Sequence, residues 1–97
     1  MRFEILFAPE AVEDLKPLKA NLRAEVKDAI ERHLQYHPTR TSRTRIKRLR
    51  GISRPQYRLR VGDVRVFYDV EGNEVHVLAV VLKDDADEWL RKEGQDR

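Results

Sequence analysis

The stretch YRLRVGDVRVFYDV, residues 57–70, decides how the chain is read. Aromatic and β-branched residues alternate with charged ones on both sides of Gly62-Asp63, a pair suited to a two-residue type II′ turn. A hairpin is predicted, with strands over about 57–61 and 64–70. Val61 then lies opposite Val64, Arg60 opposite Arg65, Leu59 opposite Val66 and Arg58 opposite Phe67. Successive strand side chains point to opposite faces. Tyr57, Leu59, Val61, Val64, Val66, Tyr68 and Val70 therefore share an apolar face, and Arg58, Arg60 and Arg65 share the other. Like charges opposed across strands destabilise a sheet, so the Arg60–Arg65 pair calls for a reason outside folding.

Working outward, Gly72-Asn73 serves a second turn and leads into a strand over about 75–82. Its alternation predicts Val75, Val77, Ala79 and Val81 on the apolar face, with His76, Leu78, Val80 and Leu82 beside the arginines. DDADEWLRK, residues 84–92, reads as a short helix, acidic first and basic last as the helix dipole prefers. Its Trp89 and Leu90 are expected to cover the apolar part of the arginine face. Upstream, RFEILF reads as a strand, and Pro9 opens a helix carrying Ala11, Val12, Leu15 and Leu18. Pro17 kinks or ends that helix. A second helix, about 20–36, buries Leu22, Val26, Ala29, Ile30 and Leu34, and His37-Pro38 closes it. So short a connection predicts an antiparallel helical hairpin. Residues 39–56 read as a basic loop with a short extended piece at 46–49.

The resulting fold class is α+β, one small domain over residues 1–97. It has an N-terminal strand, an antiparallel helical hairpin, a mostly antiparallel four-stranded sheet and a short C-terminal helix. Ninety-seven residues, 40% hydrophobic, suit one modest core. The chain has no cysteine, which rules out disulfides and thiolate metal sites. MRFEILFAPEAVED has no apolar run after a basic segment, and no window nears the ~20 apolar residues of a membrane helix. The expectation is a small soluble intracellular domain with no membrane partner.

The net charge of +3 conceals its distribution. From Arg40 to Arg65 there are ten Lys or Arg residues and one acid, Asp63; the rest of the chain carries ten basic and sixteen acidic residues. A basic block in an otherwise acidic protein is the footprint of a polyanion partner. Arginine's planar fork binds phosphate oxygens in pairs, which gives the opposed arginines a purpose. Arg43, Arg45, Lys47, Arg48, Arg50 and Arg54 are the nucleic-acid-binding candidates from the loop.

Three pieces in order carry a family resemblance: LKPLKANLRAEVKDAIERHL, IKRLRG and YRLRVGDVRVFYDVEGNEVHVLAVVLK. Together they span most of the chain, which resembles the RelE/ParE superfamily of type II toxins and is closer to the RelE-like members. The resemblance implies a toxin held inactive by a cognate antitoxin. It implies cleavage of messenger RNA in the ribosomal A site, in the cytoplasm, with no metal and no cofactor. Arg58 and Arg60 match two basic positions on the strand after the loop, and Arg65 matches a phosphate-stabilising arginine. The end departs from the pattern. Strongly active members carry an arginine and then a tyrosine there; this chain has LKDDADEWL, with Lys83 as the retained charge and Leu90 near the tyrosine position. Arg58, Arg60, Arg65 and Lys83 are the catalytic candidates.

Cleavage of this kind needs an acceptor for the 2′-hydroxyl proton, a donor to the leaving 5′-oxygen and cations around the phosphate. Arginine supplies only the last. Lys83 can serve as an acid. His76 is expected to pair with Asp69, His33 and His37 to be surface residues, and Tyr57 and Tyr68 to be packing elements. A strip of Leu78, Val80 and Leu82, if uncovered, would offer the antitoxin a docking surface. Two other readings stay open: a ParE-like inhibitor of DNA gyrase, and a catalytically weak nucleic-acid-binding module.

Overall fold

A computed structural model describes residues 1–96 of the chain. Strand β1 (Glu4–Phe7) leads into helix α1 (Pro9–Leu15), helix α2 (Ala20–Leu34) and strand β2 (Ile46–Arg48). Strands β3 (Ile52–Arg54), β4 (Tyr57–Val61), β5 (Val64–Glu71) and β6 (Glu74–Leu82) follow. A 3-10 turn at Lys83–Asp85, helix α3 (Ala86–Glu93) and strand β7 (Gln95–Asp96) end the described chain. The main sheet runs β1-β6-β5-β4-β2, antiparallel throughout except for the parallel β1–β6 pair. Among the described residues no helix is long and apolar enough to cross a membrane.

The sheet has five strands where the sequence predicts four. The difference is β2, hidden in the basic loop. Ile46 pairs with Leu59 and is only 4% exposed, so one buried isoleucine anchors a strand whose other residues are charged. Helix α1 stops at Leu15, short of Leu18, because Pro17 has no N–H to continue the ladder. The loose end is held from α2, where Arg23 Nη1 donates to the Leu18 carbonyl at 2.9 Å. Helix α1 lies against β6 and α2 against β4, so the pair covers one face of the sheet. Val26, Ile30, Leu34, Leu59, Val66, Tyr68 and Val77 form the centre of the core beneath them. Tyr68 donates its hydroxyl to the Pro38 carbonyl at 2.6 Å and stacks on Tyr57, so both tyrosines pack as expected.

The hairpin register of β4 and β5 matches the expected one, from Tyr57 opposite Tyr68 to Val61 opposite Val64. Gly62 has φ +56°, as a type II′ turn requires at its first central position. Strand β6 departs from expectation. Phe67 pairs with Ala79 and Tyr68 with Val77, leaving Leu78 as the extra residue of a β-bulge. One extra residue exchanges the faces of everything after it. Val80, predicted beside the arginines, is buried in the helix-covered core, with its N–H donated to Asp14 Oδ2 at 3.0 Å. Ala79 and Val81, predicted in that core, lie on the arginine face. The strip of Leu78, Val80 and Leu82 is therefore no continuous surface: Val80 is buried, Leu78 half-buried and Leu82 exposed.

Helix α3 crosses the arginine face as predicted. Trp89 stacks on Phe67, ring centroids 4.8 Å apart and 6° from parallel, and Leu90 packs beside them over Leu49, Ala79 and Ala86. The chain after α3 pairs β7 with β3, a two-stranded ribbon that the sequence did not suggest. Gly94 makes the corner, because a side chain there would run into the Leu90 carbonyl.

Candidate functional site

Two rows of side chains cross the arginine face. In one, Lys47 of β2, Arg58 of β4, Phe67 of β5 and Ala79 of β6 are register partners in turn. In the next, Arg60 pairs with Arg65 and Arg65 with Val81. The cationic half of each row lies toward the β2 edge, and the apolar half lies under α3. Between them opens a cleft of about 510 Å³, whose cationic wall is Lys47, Arg58, Arg65 and Lys83. Leu49, Phe67, Ala86 and Leu90 form its apolar floor, and Asp84 and Asp87 enter from the C-terminal segment. A groove of similar size between β1 and α2 is mostly apolar and gathers no charge of one sign.

The arginines differ in how the fold holds them. Arg65 is 9% exposed and donates through Nη1 to the carbonyls of Gly62 and Val64, so it also fastens the β4–β5 turn. Arg58 is half-buried, and its Nε is shut off from solvent with no hydrogen-bond partner. An unmet buried donor costs about 1–3 kcal/mol. Burial first, then Arg65 and Arg60, hold the Arg58 guanidinium below the usual arginine range. It stays charged all the same. Among the described residues none of Lys47, Arg58, Arg60, Arg65 and Lys83 forms an ion pair. A donor kept dry, unpaired and crowded by like charge suits an anion that arrives from outside.

The remaining basic residues scatter. Arg45 reaches Arg60 through its Nη1, which donates to the Arg60 carbonyl at 3.0 Å, next to the cationic rows. Arg48 turns to the opposite face, over the Tyr57 ring, and donates to the Gln56 carbonyl. Arg54 pairs with Asp69 at 3.1 Å. Arg43 and Arg50 are exposed outside the strands. Of the six loop candidates, Lys47 alone lines the cleft.

The expected His76–Asp69 pair does not form, although the two residues are register partners. Arg54 and the Gln56 N–H take the Asp69 carboxylate, and His76 Nε2 meets Glu74 Oε1 at 3.0 Å instead. His33 is only half-buried on α2; burial, then Arg45 and Arg32, lower its pKa. Asp87 is the cleft residue that the sequence reading passed over. Its signal was the spacing of Asp87 and Leu90, three apart on α3, which puts both on one stripe. Among the described residues no three His, Cys, Asp or Glu side chains gather as a metal ion would need.

This arrangement has relatives. Residues 5–86 match the family model described as the ParE toxin of type II toxin–antitoxin systems. The RelB–RelE antitoxin–toxin complex of Methanococcus jannaschii contains a similar chain, at 27% identity and TM-score 0.67, covering 87% of this chain and 96% of that one. The RelBE2 complex of Mycobacterium tuberculosis gives 24% identity and TM-score 0.70 over 84% and 99%. An archaeal RelE–RelB complex from Pyrococcus horikoshii gives 22% and 0.69 over 86% and 97%. No curated protein sequence matches significantly.

Proposed function

We propose that this chain, which belongs to the ParE toxin family of type II toxin–antitoxin systems, stops growth by cleaving messenger RNA on the ribosome, as RelE-like members do. The observation that carries the reading is the cleft itself: Arg58 with an unmet, dry Nε, between Lys47 and Arg65 and with Lys83 at its rim. Such a wall suits a phosphodiester whose charge grows as the 2′-oxygen attacks phosphorus. Arg58 and Arg65 hold the non-bridging oxygens, Arg60 and Lys47 steer the strand, and Lys83 protonates the leaving 5′-oxygen. The ribosome aligns the RNA, which by itself lowers the barrier substantially. A cognate antitoxin holds the toxin inactive until it is removed, and the action takes place in the cytoplasm, where messenger is translated.

The test is a short induction in bacteria with new messenger 5′ ends mapped beside an Arg58→Met control. New ends inside codons, dependent on translation and lost in the control, support the reading. A second reading, inhibition of DNA gyrase, is favoured by the Asp84 and Asp87 carboxylates in the cleft and by Leu90 near the family's tyrosine position. Growth arrest with DNA damage, filamentation and no new ends would select it.

A further inference from the structure

The cleft is rich in groups that hold a phosphate and poor in groups that accept a proton. His76 is held by Glu74 beyond the bulge, and Tyr68 is on the opposite face with its hydroxyl committed to Pro38. Tyr57 stacks beside Tyr68, and His33 and His37 line no part of the cleft. Lysine and arginine are protonated near neutral pH and have no acceptor to offer. The only remaining acceptors among the lining side chains are two carboxylates, Asp84 and Asp87.

The two are not equivalent. Asp84 sits in the 3-10 turn and, with Asp63, Leu82 and Lys83, also lines a second hollow. Asp87 lies in the first turn of α3, four residues after Lys83 and three before Leu90, on the stripe that faces the cleft. It forms no ion pair and no side-chain hydrogen bond among the described residues, and it does not cap the helix, whose cap residue is Asp85. Lys47 from β2, Arg58 from β4, Arg65 from β5 and Lys83 from the turn share its cleft, with Asp84 the one opposing charge; on α3 itself Arg91 follows at i+4.

We infer that Asp87 is the proton acceptor of this cleft, taking the 2′-hydroxyl proton of the bound RNA; this rests on the messenger-cleavage reading. In that step Asp87 gains the 2′-hydroxyl proton while the 2′-oxygen bonds to phosphorus. The bond from phosphorus to the 5′-oxygen breaks, and the Lys83 ammonium protonates the departing oxygen. The products are a 2′,3′-cyclic phosphate and a 5′-hydroxyl, and exchange with water restores both side chains.

Purified full-length toxin and programmed ribosomes test this by single-turnover cleavage and ribosome binding across pH. Asp87→Asn is expected to slow cleavage by about 100-fold or more and to remove the rise in rate with pH on the acid side. Its ribosome affinity should be unchanged or tighter, because a negative charge leaves a polyanion site. Asp85→Asn, two residues away and outside the cleft, should cleave at the wild-type rate. A purely structural or dipole role for Asp87 predicts otherwise. Asp87→Asn cleaving within about threefold of wild type, or slow only in step with weakened ribosome binding, overturns the inference. A wild-type protein that leaves the messenger intact overturns the cleavage reading and the inference together, and the wild-type arm alone reveals that case.

Discussion

The two faces of the main sheet come from the same strands and are built to opposite ends. On the helix-covered face the register rows are apolar except for Arg48 at the β2 edge: Ile46, Leu59, Val66 and Val80 cross the sheet in one, all 5% exposed or less. On the other face the rows change character halfway, from Lys47 and Arg58 to Phe67 and Ala79. The first face removes apolar area from water and supplies stability. The second keeps the Arg58 guanidinium half out of water with its Nε unmet, which opposes folding and suits an anion from outside. Residues one position apart on β4, Arg58 and Leu59, therefore answer to different demands.

That contrast can be broken from the core side first. Leu59→Ala leaves a cavity in the fully buried row and should lower unfolding free energy by about 2–5 kcal/mol, measured by urea titration. Tyr68→Phe removes the donor to the Pro38 carbonyl, 2.6 Å away and buried, for a loss of about 1–3 kcal/mol by the same method. On the other face the sign reverses. Arg58→Met keeps the side-chain bulk, relieves the unmet Nε and the repulsion from Arg65 and Arg60, and should raise stability by about 1 kcal/mol while abolishing growth arrest. A toxic Arg58→Met protein, or one clearly less stable than wild type, would dissolve the division of labour between the faces.

The smallest effect concerns acid. In the folded chain His33 binds its proton less readily than its ordinary pKa of 6.5 implies, chiefly through burial and then through Arg45 and Arg32. The unfolded state thus binds more protons below about pH 6.5, and folded stability falls as pH drops through that range. His33→Gln should melt like wild type at pH 8 and show a small advantage that opens as pH falls toward 5. Equal melting profiles at both pH values would show that solvent screens the half-buried imidazole.

Much of this division was legible in the sequence. The alternation in residues 57–70, together with Gly62-Asp63, determined the β4–β5 register and the placement of Arg58, Arg60 and Arg65 on one face, because strand period and turn geometry are local properties. The apolar stripes of the two helices were readable for the same reason, except that Val12 is 44% exposed, and the apolar Trp89 and Leu90 matched the apolar half of the arginine face. What escaped depends on contacts distant in sequence. Strand β2 reads locally as a short extended piece at 46–49, but its place in the sheet exists because Ile46 finds Leu59, a pairing its charged neighbours do not show. The bulge at Leu78 lets the core take Val80 and the α3 side take Ala79 and Val81, a choice made by what packs above each face. A run of apolar residues such as VHVLAVVL satisfies either alternation equally. The carboxylates of the cleft belong to tertiary structure as well. Asp87 reads as an ordinary helix-start acid until Trp89, stacked on Phe67, brings α3 across the sheet and sets that carboxylate in the same cleft as Arg58 and Lys83.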